Sequence, residues 1–235
     1  MNEEGNLAGL IAEIASAATI APITEMIYVD DGSTDNTYSA LKMLTSQFPS
    51  LRVLHHDRRS GQSAALWTGI KAATNNIIVT LDGDGQNDPA DIPAVYELYK
   101  TQAATGARIM VTGRRKKRQD NFGRRCASRF ANHLRATLLK DNTPDTGCSL
   151  KMFGRADYLN LPYFNHMHRF LPALMIRDGV KLAHVDVSHR SRSTGVSKYT
   201  NFNRAIVGIA DLMGVMWLQR RGSALPIVSE YKNER

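Results

Sequence analysis

Asp82 and Asp84 are the residues of this sequence whose type and spacing could most readily do chemistry. One glycine separates them, and they follow the apolar run of residues 77–81. Two carboxylates at this spacing can approach a hard divalent cation from one side, and Mg²⁺ or Mn²⁺ prefers oxygen ligands that it often shares with substrate phosphates. Gly83 and Gly85 allow the backbone to come close to a ligand. Alone, the pattern is more often an Asp/Gly-rich turn, so its context has to decide.

The basic residues are a second chemical signal. The net charge is +8, and eight basic residues with one acidic residue lie between positions 114 and 129, so the rest of the chain is close to neutral. Such a segment could contact a nucleic acid, an anionic membrane or a phosphorylated substrate, or it could be a solvated surface run. No glycine-rich dinucleotide loop and no P-loop are present, so those two chemistries lose support.

The elements that must position these residues alternate along the chain. Apolar runs predict strands over residues 26–29, 51–54, 77–81, 109–111 and 182–187. Apolar periodicity predicts one helix that begins near residue 7 and a second that follows a cap at Ser33 or Thr34. Further helices are predicted over about 62–73, 89–102, 167–176 and 202–218, and one more ends near residue 139. This alternation predicts a mostly parallel sheet with helices on both faces. Ligands bind such sheets at the carboxyl ends of the strands, where Asp30, Asp31, Asp82 and Asp84 are expected.

Length and composition limit the class of protein. A chain of 235 residues can bury one sizeable core, and no apolar run approaches the roughly 20 residues that span a bilayer. Cys126 and Cys148 have no metal-ligand spacing. We therefore expect a cytoplasmic chain with reduced thiols.

The context of the aspartates is a family resemblance. Residues 28–37, Tyr-Val-Asp-Asp-Gly-Ser-Thr-Asp-Asn-Thr, resemble the donor-base signature of family 2 glycosyltransferases, and residues 81–89, Leu-Asp-Gly-Asp-Gly-Gln-Asn-Asp-Pro, resemble their metal motif. Further matches are Gly61, Ala65, Gly69, Gly113-Arg114, residues 145–151 and residues 192–199. Together they are similar to the dolichyl/polyprenyl-phosphate mannosyl- and glucosyltransferase branch.

The resemblance implies roles for individual residues. Asp82 and Asp84 would bind Mg²⁺ or Mn²⁺ together with the donor pyrophosphate, and the catalytic candidates are Asp82, Asp84, Asp145 and Arg125. The donor-binding candidates add Glu3, Val29 and Asp31 for the nucleotide, Gly83 and Gln86 beside the metal, and Arg114, Arg192 and Lys198 for phosphates. Asp145 would act as general base for a hydroxyl acceptor, whereas an acceptor phosphate is already ionised. A structural turn is the alternative role for Asp145.

The implied architecture is a GT-A-type α/β domain over residues 1–200 with a C-terminal helical extension over 201–235. The implied function is inverting transfer of a hexose from GDP-mannose or UDP-glucose to a polyprenyl phosphate, at the cytoplasmic face of the membrane. The alternatives are transfer to a glycan hydroxyl and a non-catalytic relative that binds nucleic acid or membrane. A nucleic-acid partner is not expected.

The last helix has an apolar face that suggests how the chain contacts the membrane. Seven apolar residues between positions 205 and 217 line one side of it, and Arg220 and Arg221 follow. This face could dock on an anionic leaflet. Core packing or a subunit contact explains it equally well.

The resemblance also implies a buried strand in the middle of the sheet, immediately before an Asn-Glu-Glu-Gly-Asn stretch. Here that stretch is residues 2–6. We therefore expect a sheet without this strand, whose two neighbours carry unpaired backbone groups that each cost about 1–3 kcal/mol. The expected consequence is a shortened form that is less stable and less active than a longer one.

Overall fold

The structure is a computed structural model that describes residues 2–115, 135–141, 143–190 and 201–221, with the backbone alone for 201–206. Its strands are β1 (Met26–Asp30), β2 (Leu51–His55), β3 (Ile77–Thr80), β4 (Ile109–Arg115), β5 (Lys151–Gly154) and β6 (Lys181–Val187). Its helices are α1 (Leu7–Ala17), α2 (Thr37–Leu44), α3 (Gln62–Ala72), α4 (Ile92–Ala103), α5 (Arg155–Leu159), α6 (Leu171–Arg177) and α7 (Asn201–Arg221). Short 3₁₀ turns cover Glu4–Asn6, Pro89–Asp91 and Met167–Arg169, and residues 135–139 are also helical.

The described strands form two sheets. β1 and β2 pair in parallel, and the larger sheet has the order β3-β5-β4-β6. Within the larger sheet β5 runs antiparallel to β3 and β4, whereas β4 and β6 are parallel. Only β5 is therefore reversed among these four strands. The predicted α/β class with a mostly parallel sheet is confirmed.

No described strand pairs with both β1 and β3, so the two sheets are not joined by a backbone ladder. The family resemblance predicted a sheet that lacks a middle strand. The strands on the two sides do not close up into one continuous sheet among the residues that the structure describes. The absence of backbone pairing between β1 and β3 agrees with that expectation.

The larger sheet is covered on both faces. Met110 and Phe153, neighbours in the β4–β5 ladder, pack with the buried side chains of α6. Val111 and Met152, the next pair along, point to the other face and pack against α4. Alternate residues of a strand face opposite sides, so these two pairs supply both halves of the core.

The smaller sheet rests on fewer elements. Met26 and Leu51 pack against Leu7 and Ile11 of α1, with Leu41 of α2 completing this cluster. On the opposite side, α3 contacts β1. The smaller sheet is therefore also a layered α/β unit, built from local elements in the first 72 residues.

Some local expectations were wrong. Neither Ser33 nor Thr34 caps α2, which begins at Thr37; the Thr37 N–H is bound at 3.1 Å by the Asp35 carboxylate instead. The Ser33 hydroxyl donates to Asp30 and its oxygen accepts the N–H of Asn2 at 2.9 Å, so it is engaged outside the helix. The helix expected over 167–176 is divided at Phe170 into a 3₁₀ turn and α6. β5 was not anticipated at all.

α7 is docked along one side and open along the other. Val215 is buried, Leu212 and Met216 pack on the core, and the last turn is tied by the Arg177 Nε bond to the Leu218 carbonyl at 3.2 Å. The opposite side presents apolar side chains to solvent: Ile209, Met213 and Trp217 are 58%, 60% and 59% exposed. Core packing thus accounts for Leu212 and Met216, two of the five residues of the predicted apolar face whose side chains the structure describes. Across the described ranges, no helix combines the length and the apolar character that crossing a membrane requires.

Candidate functional site

The turn after β3 carries the two aspartates of the predicted metal motif. Gly85 has a φ of 73°, in the left-handed region that favours glycine. A Cβ at Gly83 would lie 2.4 Å from the hydroxyl oxygen of Tyr28, so a side chain there would displace the Tyr28 ring. The two glycines thus allow a tight turn in close contact with a residue of β1.

Asp82 is held by one donor on each carboxylate oxygen. Gln62 Nε2 donates to Oδ1 at 2.6 Å, and the Ser149 hydroxyl donates to Oδ2. Ser149 is itself fixed, because its carbonyl accepts a 2.7 Å bond from the Thr80 hydroxyl. Burial raises the pKa of Asp82, the Ser149 bond opposes this, and the neighbouring Asp84 adds to it. The orientation of this carboxylate is therefore determined by its surroundings.

Asp84 completes the carboxylate pair, and its Oδ1 accepts the N–H of Gln86 at 3.1 Å. The described residues contain no group of three or more His, Cys, Asp or Glu side chains that could hold a metal ion. Beyond these two carboxylates a cation needs further oxygen ligands, which water and a bound phosphate can supply. Mg²⁺ is commonly bound in this way, so the donor set fits Mg²⁺ or Mn²⁺ shared with a diphosphate.

Behind the aspartates lies a buried set of charges. Arg115 Nε and Nη2 donate to the two oxygens of Asp145, each at 2.7 Å. The hydrogen bond to Asp145 raises the pKa of Arg115, which keeps the guanidinium charged. Lys151 donates to the Cys148 carbonyl, and burial lowers its pKa. The fields of Asp82, Asp145 and Arg115 all act on Lys151, which shows that these groups share one region.

Arg114 lies on the other side of β4. Its Nε donates to Asp186 at 2.6 Å, and Asp186 is its direct neighbour in the β4–β6 ladder. The side chain is 54% exposed. Successive side chains of a strand point to opposite faces, so Arg114 faces away from Asp145 whereas Arg115 contacts it. A donor-binding role for Arg114 stays a prediction.

Asp31, at the end of β1, anchors the loop that precedes α3. Its oxygens accept the N–H groups of Ser60 and Gly61, both at 2.8 Å, and Oδ1 lies 2.9 Å from His56 Nδ1. Burial acts to raise the pKa of Asp31, but these hydrogen bonds outweigh it and leave the pKa below its usual value. The carboxylate therefore fixes the start of α3, at Gln62, beside Asp82.

The other nucleotide candidates lie around β1. The N–H of Glu3 donates to the Thr37 hydroxyl at 3.0 Å, which holds Glu3 at the carboxyl end of β1. Val29 is partly buried and faces α3, where a Cβ at Gly69 would lie 3.1 Å from it. Glu3 and Asp31 thus lie at the same edge of the sheet as the metal motif, whereas the Val29 side chain lies under α3.

A strap from the C-terminal side supports the metal loop. The N–H of Arg190 donates to the carbonyl of Gln86 at 3.0 Å. The Arg190 guanidinium forms ion pairs with Asp88 and with Glu13 of α1, both at 2.7 Å. Arg190 therefore joins the loop after β3 to α1. Gln86 contributes backbone atoms to this arrangement.

Three predicted site residues, Arg125, Arg192 and Lys198, lie outside the described residues. Most of the basic segment lies there too. No role was predicted for Gln62 and Ser149, which contact Asp82, for Tyr28, which contacts the Gly83 turn, or for Arg115, which contacts Asp145, although Tyr28 and Ser149 lie within the segments that resemble the family. The strand predicted over residues 109–111 was too short. Extended to Arg115, its alternation would have placed the Arg114 and Arg115 side chains on opposite faces of the sheet. No comparable signal marks the contacts of Gln62 and Ser149, because they join residues far apart in sequence.

Comparison with known proteins bears on what this arrangement does. A family model described as glycosyl transferase family 2 matches residues 1–160. The chain is 36% identical over 225 residues to the dodecaprenyl-phosphate galacturonate synthase of Rhizobium johnstonii, covering 93% of this chain and 65% of that protein. It is 32% identical over 202 residues to an undecaprenyl-phosphate 4-deoxy-4-formamido-L-arabinose transferase of Pectobacterium carotovorum, covering 85% and 60%. The chain thus spans less than two thirds of the length of both relatives.

Solved structures agree on the fold. Glucosyl-3-phosphoglycerate synthase of Mycobacterium tuberculosis, in complex with Mn²⁺, uridine diphosphate and phosphoglyceric acid, has a TM-score of 0.67 at 18% identity, covering 93% of this chain and 75% of that one. Mannosyl-3-phosphoglycerate synthase of Rubrobacter xylanophilus has a TM-score of 0.67 at 15% identity, covering 96% and 74%. These similarities confirm the predicted GT-A-type fold.

Proposed function

The chain belongs to glycosyl transferase family 2, and from this premise we propose that it transfers a hexose from a nucleotide-sugar to a polyprenyl phosphate, with inversion. The observation that carries the proposal is the oriented carboxylate pair, Asp82 and Asp84, in the turn that follows β3. Two relatives named for sugar transfer to dodecaprenyl or undecaprenyl phosphate support the class of acceptor.

The donor side of the proposal rests on charge. Cleavage of the sugar–phosphate bond leaves a nucleoside diphosphate whose growing negative charge has to be compensated. A bound Mg²⁺ or Mn²⁺ would supply part of that compensation. Asp82 and Asp84 would hold it, while Arg114, Arg125, Arg192 and Lys198 are proposed to contact phosphate oxygens. Glu3, Val29 and Asp31 are proposed to lie near the nucleotide, with Gly83 and Gln86 beside the diphosphate.

The acceptor side rests on Asp145. A phosphate acceptor is already ionised near neutral pH, so no side chain has to remove a proton from it. Both oxygens of Asp145 accept hydrogen bonds from Arg115, at 2.7 Å each, and a bidentate pair of this kind favours the ionised, occupied carboxylate. A hydroxyl acceptor would need Asp145 as base while Arg115 holds it. This pairing favours the phosphate acceptor.

The site of action is proposed to be the cytoplasmic membrane surface, with residues 201–235 as a C-terminal extension of a catalytic domain formed by residues 1–200. The exposed side chains Ile209, Met213 and Trp217 form an apolar strip on α7, and Arg220 and Arg221 follow it. Apolar contact with the lipid boundary and attraction of basic residues to an anionic leaflet act together at such a surface.

The test is a transfer assay with labelled GDP-mannose, UDP-glucose and UDP-galacturonate, each with polyprenyl phosphate and Mn²⁺ or Mg²⁺. We expect label in the lipid product with one donor, and loss of that product in chelator. Asp84→Ala should reduce turnover at least about 100-fold, because it removes half of the carboxylate pair. Glu97→Ala, which alters a 61% exposed carboxylate on α4, is the matched control.

The outcomes separate the candidate functions. Transfer to a glycan hydroxyl but not to the lipid phosphate would replace the proposed acceptor. Donor binding without transfer or hydrolysis would indicate a non-catalytic relative. Full turnover of Asp84→Ala would contradict the proposed metal site.

A further inference from the structure

Gln62 joins the two acidic regions of the site. It is the first residue of α3, and its exposed side chain donates a 2.6 Å hydrogen bond from Nε2 to Asp82 Oδ1. None of the family motifs seen in the sequence includes it. Because Gln62 lies in the unit of β1 and β2 while Asp82 follows β3, this contact crosses the division between the two sheets.

The position of Gln62 is set by Asp31. The carboxylate of Asp31 accepts the N–H groups of Ser60 and Gly61, and Gly61 takes a φ of 93° directly before the helix. The left-handed conformation at Gly61 is one that other residues rarely adopt. The start of α3 is therefore fixed by three features in consecutive residues, and Gln62 follows immediately.

The second oxygen of Asp82 is fixed from the opposite direction. Ser149 donates to Oδ2, and the turn that presents Ser149 is held by the Thr80 hydroxyl on its carbonyl at 2.7 Å. Lys151 also stabilises this turn through the Cys148 carbonyl. A carboxylate can rotate about its last torsion, which has a broad preference. Two donors from two elements remove that freedom.

The two donors are also electrically neutral. A lysine or arginine in place of Gln62 would orient Asp82 but would cancel its charge, whereas an amide and a hydroxyl leave the full negative charge available. Groups that orient a metal-binding carboxylate typically change metal affinity or activity about 10–100-fold when they are removed. The arrangement around Asp82 has the properties of such a support.

We infer that Gln62 is a positioning residue, which holds the Asp82 carboxylate in the orientation that binds a divalent cation together with a nucleoside diphosphate. The inference rests on the proposed function. Gln62 acts through Asp82, so its removal weakens the cation–nucleotide complex and leaves the fold and the acceptor site unchanged.

The test compares Gln62→Leu and Gln62→Asn with Gln102→Leu, which removes another exposed glutamine, on α4. Calorimetric titration with UDP and with GDP, each with Mn²⁺, measures binding without turnover. We expect both Gln62 variants to bind the nucleotide about 10-fold more weakly. Asparagine keeps the amide but is one methylene too short, so it tests reach separately from polarity. The thermal midpoint without ligand should match that of Gln102→Leu.

Kinetics provide a second readout. The Mn²⁺ concentration for half-maximal turnover should rise in both Gln62 variants, while the acceptor KM stays unchanged. If the native chain binds neither nucleotide with Mn²⁺, the proposed function fails and this inference fails with it. If the native chain binds and Gln62→Leu binds equally well, the inference alone is overturned. A lowered melting midpoint with equal loss in every parameter would assign Gln62 a structural role only.

Discussion

The middle of the larger sheet and the strands beside the division between the two sheets differ in how completely they are buried. In β4, the five residues from Ile109 to Gly113 are all buried, and the sheet around them is covered on both faces. In β1 the three central residues are partly exposed, and Ile77 at the start of β3 is 44% exposed. Apolar strand residues with this much exposure lie beside the division between the sheets.

This difference indicates where stability and function reside. The larger sheet holds most of the buried apolar side chains, whereas the proposed site uses groups from both sides of the division. Tyr28 reaches the Gly83 turn and Gln62 reaches Asp82 from the smaller sheet. The site is therefore assembled across the least continuous part of the fold, through side-chain contacts and not through a backbone ladder.

The largest expected effect is in the middle of the larger sheet, away from the division. Phe153→Ala, at a fully buried position of β5, should reduce the free energy of unfolding by about 3–5 kcal/mol. Ile77→Ala, beside the division, should cost about 1 kcal/mol, because its side chain is already 44% exposed. Urea unfolding of both variants checks this. Equal losses would contradict the proposed difference in burial.

A strand added at the division should produce the next largest effect. Asn2 donates its N–H to the Ser33 hydroxyl at 2.9 Å, so a segment joined ahead of it would end near the carboxyl end of β1. If that segment fills the division, it runs parallel to β1. Six apolar, β-branched residues there should pair with β1 and β3. The new backbone hydrogen bonds should raise the free energy of unfolding by about 2 kcal/mol. In a chain of this size that gain raises the melting midpoint by about 4–8 °C.

A Gly/Ser segment of the same length is the control for that fusion. It should leave the midpoint unchanged, because it neither buries apolar surface nor favours a strand. The apolar segment should also tighten nucleotide binding. Identical midpoints for the two fusions would show that the division does not accept a strand.

A smaller effect should follow from Asp31 in the smaller sheet. The pKa of Asp31 lies below its usual value in the folded chain, so its stabilising contribution is complete above the unfolded pKa, near 4, and is lost as the pH falls through the folded value. Asp31→Asn should therefore destabilise the protein by about 1 kcal/mol at pH 7. Urea titrations between pH 7 and pH 2.5 measure the free energy of unfolding of both proteins. The difference between Asp31→Asn and the native chain should disappear at the acidic end.

The smallest expected effect concerns exposed methionines on two helices, α7 beside the larger sheet and α2 beside the smaller one. Met213→Ser, on α7, should weaken binding to anionic vesicles by about 1 kcal/mol, or roughly fivefold. Met43→Ser makes the same change on α2, at a residue that is 68% exposed compared with 60% for Met213. Co-sedimentation should distinguish the two variants. Equal binding would remove α7 from the proposed membrane surface.

Much of the fold could be predicted because its strong signals are local. The apolar runs that became β1, β2, β3 and β6 ended within two residues of the observed strands. β5 escaped prediction because it has four residues and its pairing with β3 and β4 is antiparallel and distant in sequence. The Ser33 cap failed for a related reason, since the Ser33 oxygen accepts the N–H of Asn2, 31 residues away in sequence.

The site was predictable only in part, for the same physical reason. Asp82 and Asp84 stand out because two carboxylates beside glycines are visible in sequence order. Gln62 and Ser149 lie 20 and 67 residues from Asp82, so their roles emerge only when the chain folds. The family resemblance marks Arg114 and not Arg115, and only the strand's alternation shows that Arg115 is the one that contacts Asp145.

Arg190 has a consequence for the order in which the protein can be assembled. Its ion pair with Glu13 spans 177 positions, and its contact with Asp88 spans 102. Contacts of such long range form late, because the intervening chain has to be ordered first. During synthesis, the loop that carries Asp84 therefore stays without this support until residue 190 has left the ribosome. A fragment cut at residue 160 would retain the family match and the aspartates but would lack that support.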